Sequence, residues 1–166
     1  GLPPFEAYLH VARASEGRAR VLLDTYSGDA RREVPLQAVL SHPRCAFMTD
    51  TILTRRGRHN PASFGTFPRI LGHYSRDLGL FSLEEAVRRM TGFPADRLGL
   101  EGVGRVAEGR RADLVLFDPR TVDGRATPAA PDVPPVGIGA VLVAGQLVAR
   151  DGRLLPGPRR GQVLRK

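Results

Sequence analysis

Two short apolar runs separated by a helix-like segment constrain the fold of the first fifty residues. Residues 20–26 and 45–49 are mainly apolar on both faces, and residues 30–41 between them have helical spacing. Strands that are apolar on both faces belong to parallel sheets covered by helices. Two parallel strands joined by a helix form a βαβ unit. The sequence therefore predicts an α/β fold for this part of the chain.

A carboxylate, Asp50, directly follows the second predicted strand. In α/β folds ligands bind at the carboxyl ends of parallel strands, and in β/α barrels catalytic side chains project from those ends. A carboxylate there can act as a metal ligand or as a general base. The loop after it, residues 50–65, is about as long as functional loops in compact domains. On position alone, the alternative is that Asp50 caps a turn or the next helix.

The remaining pattern is helical up to about residue 100 and β-rich after it. Ser82 and Glu85 form a capping box, in which Ser82 caps the helix start and Glu85 reaches back to it. We expect a strand at 113–117, an irregular proline-rich connection at 121–137 and a hairpin at 139–150. The sequence therefore predicts one region over residues 1–100 and a second, with a basic tail, over residues 101–166.

Composition limits the classes of protein to which the chain can belong. Its 166 residues suffice for one domain, and the apolar fraction of 42% is that of a globular protein. No apolar run is long enough to span a membrane, and the first residues do not resemble a signal peptide. The single cysteine, Cys45, lies in an apolar run and cannot form an internal disulfide. We therefore expect a protein of the reducing cytoplasm.

The net charge of +8 raises the question of nucleic-acid binding. Lys166 is the sole lysine, so nearly all of the 25 basic residues are arginines, and they are spread over the whole length. No aromatic residues alternate with them as in a base-stacking platform. We therefore expect no nucleic-acid partner and no membrane partner, although a basic nucleic-acid-binding module remains a third alternative.

Three segments carry a resemblance to a known family. They are GTFPR at 65–69, SLEEAVRRMTGFPADRLGL at 82–100 and GRVAEGRRADLVLFDP at 104–119. The family patterns that they resemble are GTFPR, SLEEAVRKMTSLPAxRLGL and GxIxxGxxADLVVFDP. The chain thus looks like the C-terminal part of the N-acyl-D-amino-acid deacylases (D-aminoacylases), which are zinc-dependent members of the amidohydrolase superfamily. The likeness runs from about Val21 to Leu164.

The resemblance implies an incomplete fold. Residues 1–100 would supply the last βα units of a metal-dependent (β/α)8 barrel, and residues 101–166 the C-terminal strands of a small β-sandwich. The run 45–48 would be the last barrel strand, and Asp50 the catalytic general acid/base that ends it. The implied activity is hydrolysis of the amide bond of N-acyl-D-amino acids with zinc as the cofactor.

Most of the metal ligands that the resemblance implies would lie upstream of this sequence. In the family they are a His-x-His pair, a cysteine and two further histidines, and none of them matches a residue here. Asp50 is a candidate ligand of a second metal, but one aspartate cannot hold zinc alone. We therefore expect a fragment that is inactive alone and that needs the remainder of the barrel, in the same or a separate chain.

The loop after Asp50 departs from the family pattern at the residue expected to bind the substrate carboxylate. The family has an arginine after His-Pro, and the equivalent residue here, after Pro61, is Ala62. Candidate substitutes in the same loop are Arg55, Arg56, Arg58 and His59. This departure leaves an amidohydrolase for another amide or a cyclic imide as an alternative. A non-catalytic remnant or complementing subunit of a split amidohydrolase is another.

Overall fold

The computed structural model describes residues 1–19, 33–51, 59–158 and 160–164. The chain divides into two compact units, Gly1–Leu36 and Gln37–Lys166. The predicted strand at 20–26 and the start of the predicted helix at 30–41 lie outside the described residues. None of the helices in the described ranges is long and apolar enough to cross a membrane.

Helix α1 occupies Pro4–Ala14 and helix α2 occupies Glu33–Ser41. Pro4 suits the first helical turn because the amide hydrogen that it lacks would have no partner there. Gly17 follows α1 with φ 73°, and its N–H donates to the carbonyl of Ala12 over 2.8 Å. Both helices agree, where they are described, with the sequence, which predicts helices over residues 5–17 and 30–41.

Helix α3, Ala62–Arg69, continues directly into a π-helical stretch, Ile70–Asp77. Pro68 lies inside α3 and has no N–H to donate, so the regular ladder of hydrogen bonds is interrupted at that point. The wider spacing persists to the end of the stretch, where the N–H of Leu78 donates to the carbonyl of His73 over 2.9 Å. The π-helical stretch buries Ile70, Leu71, Gly72, Tyr74 and Ser75.

Helix α4, Leu83–Met90, begins at the predicted cap and is followed by α5, Gly92–Leu98. The hydroxyl of Ser82 accepts from the N–H of Glu85 over 3.2 Å, so this half of the capping box is confirmed. The other half is wrong, because the Glu85 carboxylate pairs with the guanidinium of Arg88 at 2.7 and 2.8 Å. Arg88 thereby lowers the pKa of Glu85.

A four-stranded antiparallel sheet follows, in the order β1-β2-β3-β4. Its strands are β1 Leu114–Phe117, β2 Ile138–Val143, β3 Gln146–Arg150 and β4 Arg153–Leu154. The β2–β3 hairpin confirms the prediction, with Gly145 in its turn at φ 76°. The connection at 121–137 is irregular as predicted, apart from one antiparallel bridge between Asp123 and Val136.

The predicted strand at 45–49 is wrong for this structure, in which the segment has no regular secondary structure. A β-strand needs backbone partners, and no described strand pairs with this segment. Its N–H at Phe47 instead donates to the carbonyl of Arg89, in α4, over 3.1 Å. Phe47 is 6% exposed, so the segment is anchored by its central side chain although it is not a strand.

The helical part and the irregular connection approach each other closely at Val122. Val122 is fully buried, and its carbonyl accepts from Nη1 of Arg76 over 2.7 Å. A Cβ added at Gly72 would collide with that carbonyl and would lie 3.0 Å from Oδ1 of Asp123. Glycine at position 72 is therefore what allows the two backbones to meet.

We predict that Gly72→Ala destabilises the chain by about 1–3 kcal/mol, since backbone must move to admit the methyl group. Urea unfolding followed by circular dichroism measures the change. Gly65→Ala is the matched control, because a Cβ there would meet Ala126 at an ordinary 3.5 Å. We expect the control to be neutral or stabilising, since alanine favours a helix. Equal losses in the two variants would contradict the close approach.

Asp113 joins the start of β1 to the hairpin turn. Its Oδ1 accepts from the N–H of Ala144 over 2.7 Å, and Nε of Arg111 lies 2.7 Å from its Oδ2. The Ala144 N–H first, and Arg111 next, hold the pKa of Asp113 below its ordinary value of 3.8. A lowered pKa in the folded state means that the ionised carboxylate stabilises the fold above that ordinary value.

We predict that Asp113→Ala lowers the free energy of unfolding by about 1 kcal/mol at pH 7, through the lost hydrogen bond. The difference from the original chain should shrink as the pH falls below 3.8 and through the lowered pKa, where the carboxylate is protonated. Urea unfolding at several pH values measures it. Glu108→Ala, at an exposed turn, should show no such pH dependence. A gap that widens in acid would contradict the prediction.

Candidate active-site segment

Asp50 lies three residues beyond the buried Phe47, and its side chain is exposed to solvent. Its φ of 44° is in the left-handed region, which aspartate tolerates better than most residues do. No other described residue forms a hydrogen bond or ion pair with its carboxylate. The segment thus presents a carboxylate to solvent, three residues after the point at which the buried Phe47 anchors the backbone.

Arg89 provides much of that anchoring. Its side chain is 1% exposed, and Nε donates to the carbonyl of Cys45 over 2.6 Å. The guanidinium carbon lies 4.3 Å from the ring centre of Phe47 and 5.2 Å from that of Phe81. Sequence reasoning missed this residue, because a charged side chain in a helix is usually on its surface. The available signal was its spacing of three from Ala86, which places the two residues on one face of the helix.

His59 is the candidate substrate-binding residue that the structure describes. Its Nδ1 lies 2.6 Å from Oδ1 of Asp132, and its ring is tilted against Phe64 at 5.8 Å between centres. The side chain is 25% exposed and that of Asp132 is 60% exposed. An aspartate on Nδ1 fixes the orientation of an imidazole ring. The His59 ring, at the end of the loop, is therefore fixed in orientation by Asp132 and Phe64.

The structure describes Ala62 but not the three arginines of this loop. Arg55, Arg56 and Arg58 lie outside the described residues. Ala62 begins α3, and its N–H donates to Oδ1 of Asn60 over 2.9 Å. Alanine at this position has no group that could pair with a carboxylate.

The described residues do not by themselves fit a zinc ion. A protein zinc site uses at least three side-chain ligands from histidine, cysteine, aspartate or glutamate. No group of three such residues comes together in the described part of the chain. Asp50 alone could offer one further ligand to a metal held by other residues.

The sequence and the backbone both identify the family of this chain. A sequence profile of the amidohydrolase family matches residues 3–149. The chain therefore belongs to the amidohydrolase family.

Its relatives and structural neighbours are deacylases of N-acyl-D-amino acids. D-aminoacylase from Alcaligenes xylosoxydans xylosoxydans is 50% identical over 107 residues, which are 64% of this chain and 22% of that protein. A solved D-aminoacylase with a binuclear metal centre matches at a TM-score of 0.68 and 45% identity, over 72% of this chain and 25% of its own.

A third match was solved in complex with zinc and an inhibitor. N-acyl-D-glutamate deacylase from Bordetella bronchiseptica, with a phosphonate that mimics the tetrahedral intermediate of the reaction, gives a TM-score of 0.65 and 41% identity. It covers 72% of this chain and 26% of its own. The chain thus spans only 22% to 26% of the length of these three proteins.

We predict that excess zinc chloride leaves the unfolding temperature of the chain unchanged, because too few ligands converge in its described part to bind the ion. Any ion that binds the folded state selectively would raise that temperature. Differential scanning fluorimetry with zinc, then with added EDTA, measures the effect, and calcium chloride controls for ionic strength. A rise with zinc that EDTA reverses would show a metal site built from this chain alone.

Proposed function

We propose that this chain is the C-terminal part of a metal-dependent amidohydrolase that hydrolyses N-acyl-D-amino acids, with Asp50 as general acid/base. The observation that carries the proposal is the 50% identity to D-aminoacylase, together with structural matches to two further deacylases of this kind. In the proposed whole, residues 1–100 supply the last βα units of a (β/α)8 barrel. Residues 101–166 supply strands of a small β-sandwich.

The chemistry asks for a carboxylate that is ionised, accessible and held in place. Water attacks the acyl carbon of the amide, and Asp50 accepts the proton that the water loses. The C–N bond then breaks, and Asp50 returns the proton to the departing amine nitrogen. The products are a carboxylic acid and a free D-amino acid. The exposure of Asp50 and its anchored backbone support this role.

Zinc is the proposed cofactor, and residues outside this chain would hold it. The ion would supply Lewis-acid polarisation of the substrate carbonyl and a more acidic water. The zinc in the Bordetella enzyme and the binuclear centre of the D-aminoacylase support this choice. Asp50 is the one described residue that we propose as a candidate ligand, at a second metal position.

The substrate carboxylate needs a cation in the loop after Asp50. Arg55, Arg56 and Arg58 are the proposed partners, because a guanidinium binds a carboxylate through two parallel hydrogen bonds. His59 is a fourth candidate, and its orientation by Asp132 supports a fixed contact. Since Ala62 stands where the family has an arginine, one of these loop residues would take over the contact with the substrate carboxylate.

Exposed apolar side chains favour a partner that completes the fold. On α1, Phe5 is 70% exposed and Tyr8 is 58% exposed, and on α2, Val34 is 77% exposed. A single large exposed side chain is ordinary, but α1 presents several along one face. The proposed partner is the remainder of the amidohydrolase barrel, in the same or a separate chain.

We predict that Asp50→Asn strongly lowers the rate of hydrolysis in the protein that joins this chain to the rest of the fold. Loss of a general acid/base lowers kcat by about 10²–10⁴-fold. Release of free amine from N-acetyl-D-glutamate and from its L-enantiomer measures activity and preference. Circular dichroism should remain that of the original protein, and the metal whose ligands lie outside this chain should stay bound.

Asp151→Asn is the matched control, since Asp151 is also an exposed aspartate with positive φ, at 48°, but lies in the β3–β4 turn. It should retain full activity. If Asp50→Asn keeps its activity while zinc removal abolishes it, Asp50 is not the acid/base. Activity on neither enantiomer would overturn the proposed substrate class.

A further inference from the structure

Arg89 is the buried charge that the proposed chemistry does not explain. It lies in α4, 39 residues along the chain from Asp50, and only 1% of it is exposed. Its guanidinium lies over the rings of both Phe47 and Phe81, whose centres are 5.4 Å apart. A methionine or leucine would fill such an apolar space without the cost of removing a charge from water. The residue therefore needs an explanation other than packing.

The hydrogen bonds of Arg89 converge on the segment before Asp50. Nε donates to the carbonyl of Cys45, and the carbonyl of Arg89 accepts from the N–H of Phe47, at 3.1 Å. The guanidinium also covers the face of the Phe47 ring. One residue thus holds a carbonyl, an amide and a side chain within three successive positions, which determines the direction of the backbone there.

No described carboxylate is bonded to this guanidinium. The nearest acidic residue on its helix, Glu85, gives both of its oxygens to Arg88. The Nη2 of Arg89 is buried without an acceptor among the described residues. Among the described residues, the guanidinium thus donates to one carbonyl and lies over two aromatic rings, while Glu85 acts on it only through space.

We infer that Arg89 is a positioning residue that holds Cys45–Phe47 in place and so directs Asp50 toward the reacting amide. The inference rests on the proposed role of Asp50. Displacing a catalytic group by about 1 Å can cost about 10²-fold in rate, so a mobile segment would reduce activity without removing any reacting atom.

Cys45 allows a test on the chain itself, because it is the sole cysteine of the 166 residues. Its thiol should react with a chromogenic disulfide reagent about tenfold faster in Arg89→Met, since the segment loses its main hydrogen bond. Arg89→Lys keeps a cationic group that can donate to the carbonyl of Cys45, so its thiol should react at a rate nearer the original. Arg88→Met, which changes the exposed neighbour, should have no effect.

The second arm measures catalysis in the protein that contains the rest of the fold. We expect Arg89→Met to lower kcat by about 10²-fold with KM and metal content unchanged, and Arg89→Lys to recover most of it. A merely structural role would lower stability and leave kcat unchanged below the unfolding temperature.

The outcomes separate this inference from the proposed function. If Asp50→Asn retains activity but Cys45 responds to Arg89→Met, the acid/base proposal fails and Arg89 still holds the segment. If Cys45 responds and kcat does not, Arg89 does not position Asp50. Equal effects of Arg89→Met and Arg88→Met would overturn the inference. So would an original chain whose Cys45 reacts as fast as in denaturant.

Discussion

The rest of the structure depends on a close approach of two backbones at Val122. The side chain of Val122 is fully buried, and its carbonyl faces Gly72 of the π-helical stretch. Nη1 of Arg76 donates to the same carbonyl. The N–H of Val122 donates to Asp118 just after β1, over 2.9 Å. One residue of an irregular connection therefore joins the helices to the sheet.

Two arginines of this chain donate hydrogen bonds from their side chains to backbone carbonyls in irregular segments. Arg76 bonds the carbonyl of Val122 at 2.7 Å, and Arg89 bonds that of Cys45 at 2.6 Å. Each of these carbonyls lies in a segment without regular structure, where the ladder of a helix or sheet cannot satisfy it. A long, planar cation with five donors suits this task better than lysine does. Part of the arginine bias thus has a structural cause.

Short sequence patterns predicted the features that depend mainly on residues close together in the chain. The helix cap at Ser82, the hairpin turn at Gly145 and the family itself were all predicted from short stretches of sequence. The contacts of Val122 with Gly72 and of Arg89 with Cys45 were not predictable, because each joins residues more than forty positions apart through an irregular segment. The candidate site was predicted as a set of residue types, whereas the pairing of His59 with Asp132 depends on tertiary structure.

The prediction of a strand at 45–49 is wrong for a related reason, because a strand depends on contacts with residues distant in sequence. An apolar run gives a strand only where neighbouring strands supply its hydrogen bonds, and no described strand lies beside this one. In the proposed barrel those neighbours come from the remainder of the fold, and the ladder would add to the anchoring that Arg89 already provides. The backbone before Asp50 would then be held from two directions, by a helix of this chain and by strands outside it. A general acid/base built in this way becomes competent only when the whole barrel is assembled.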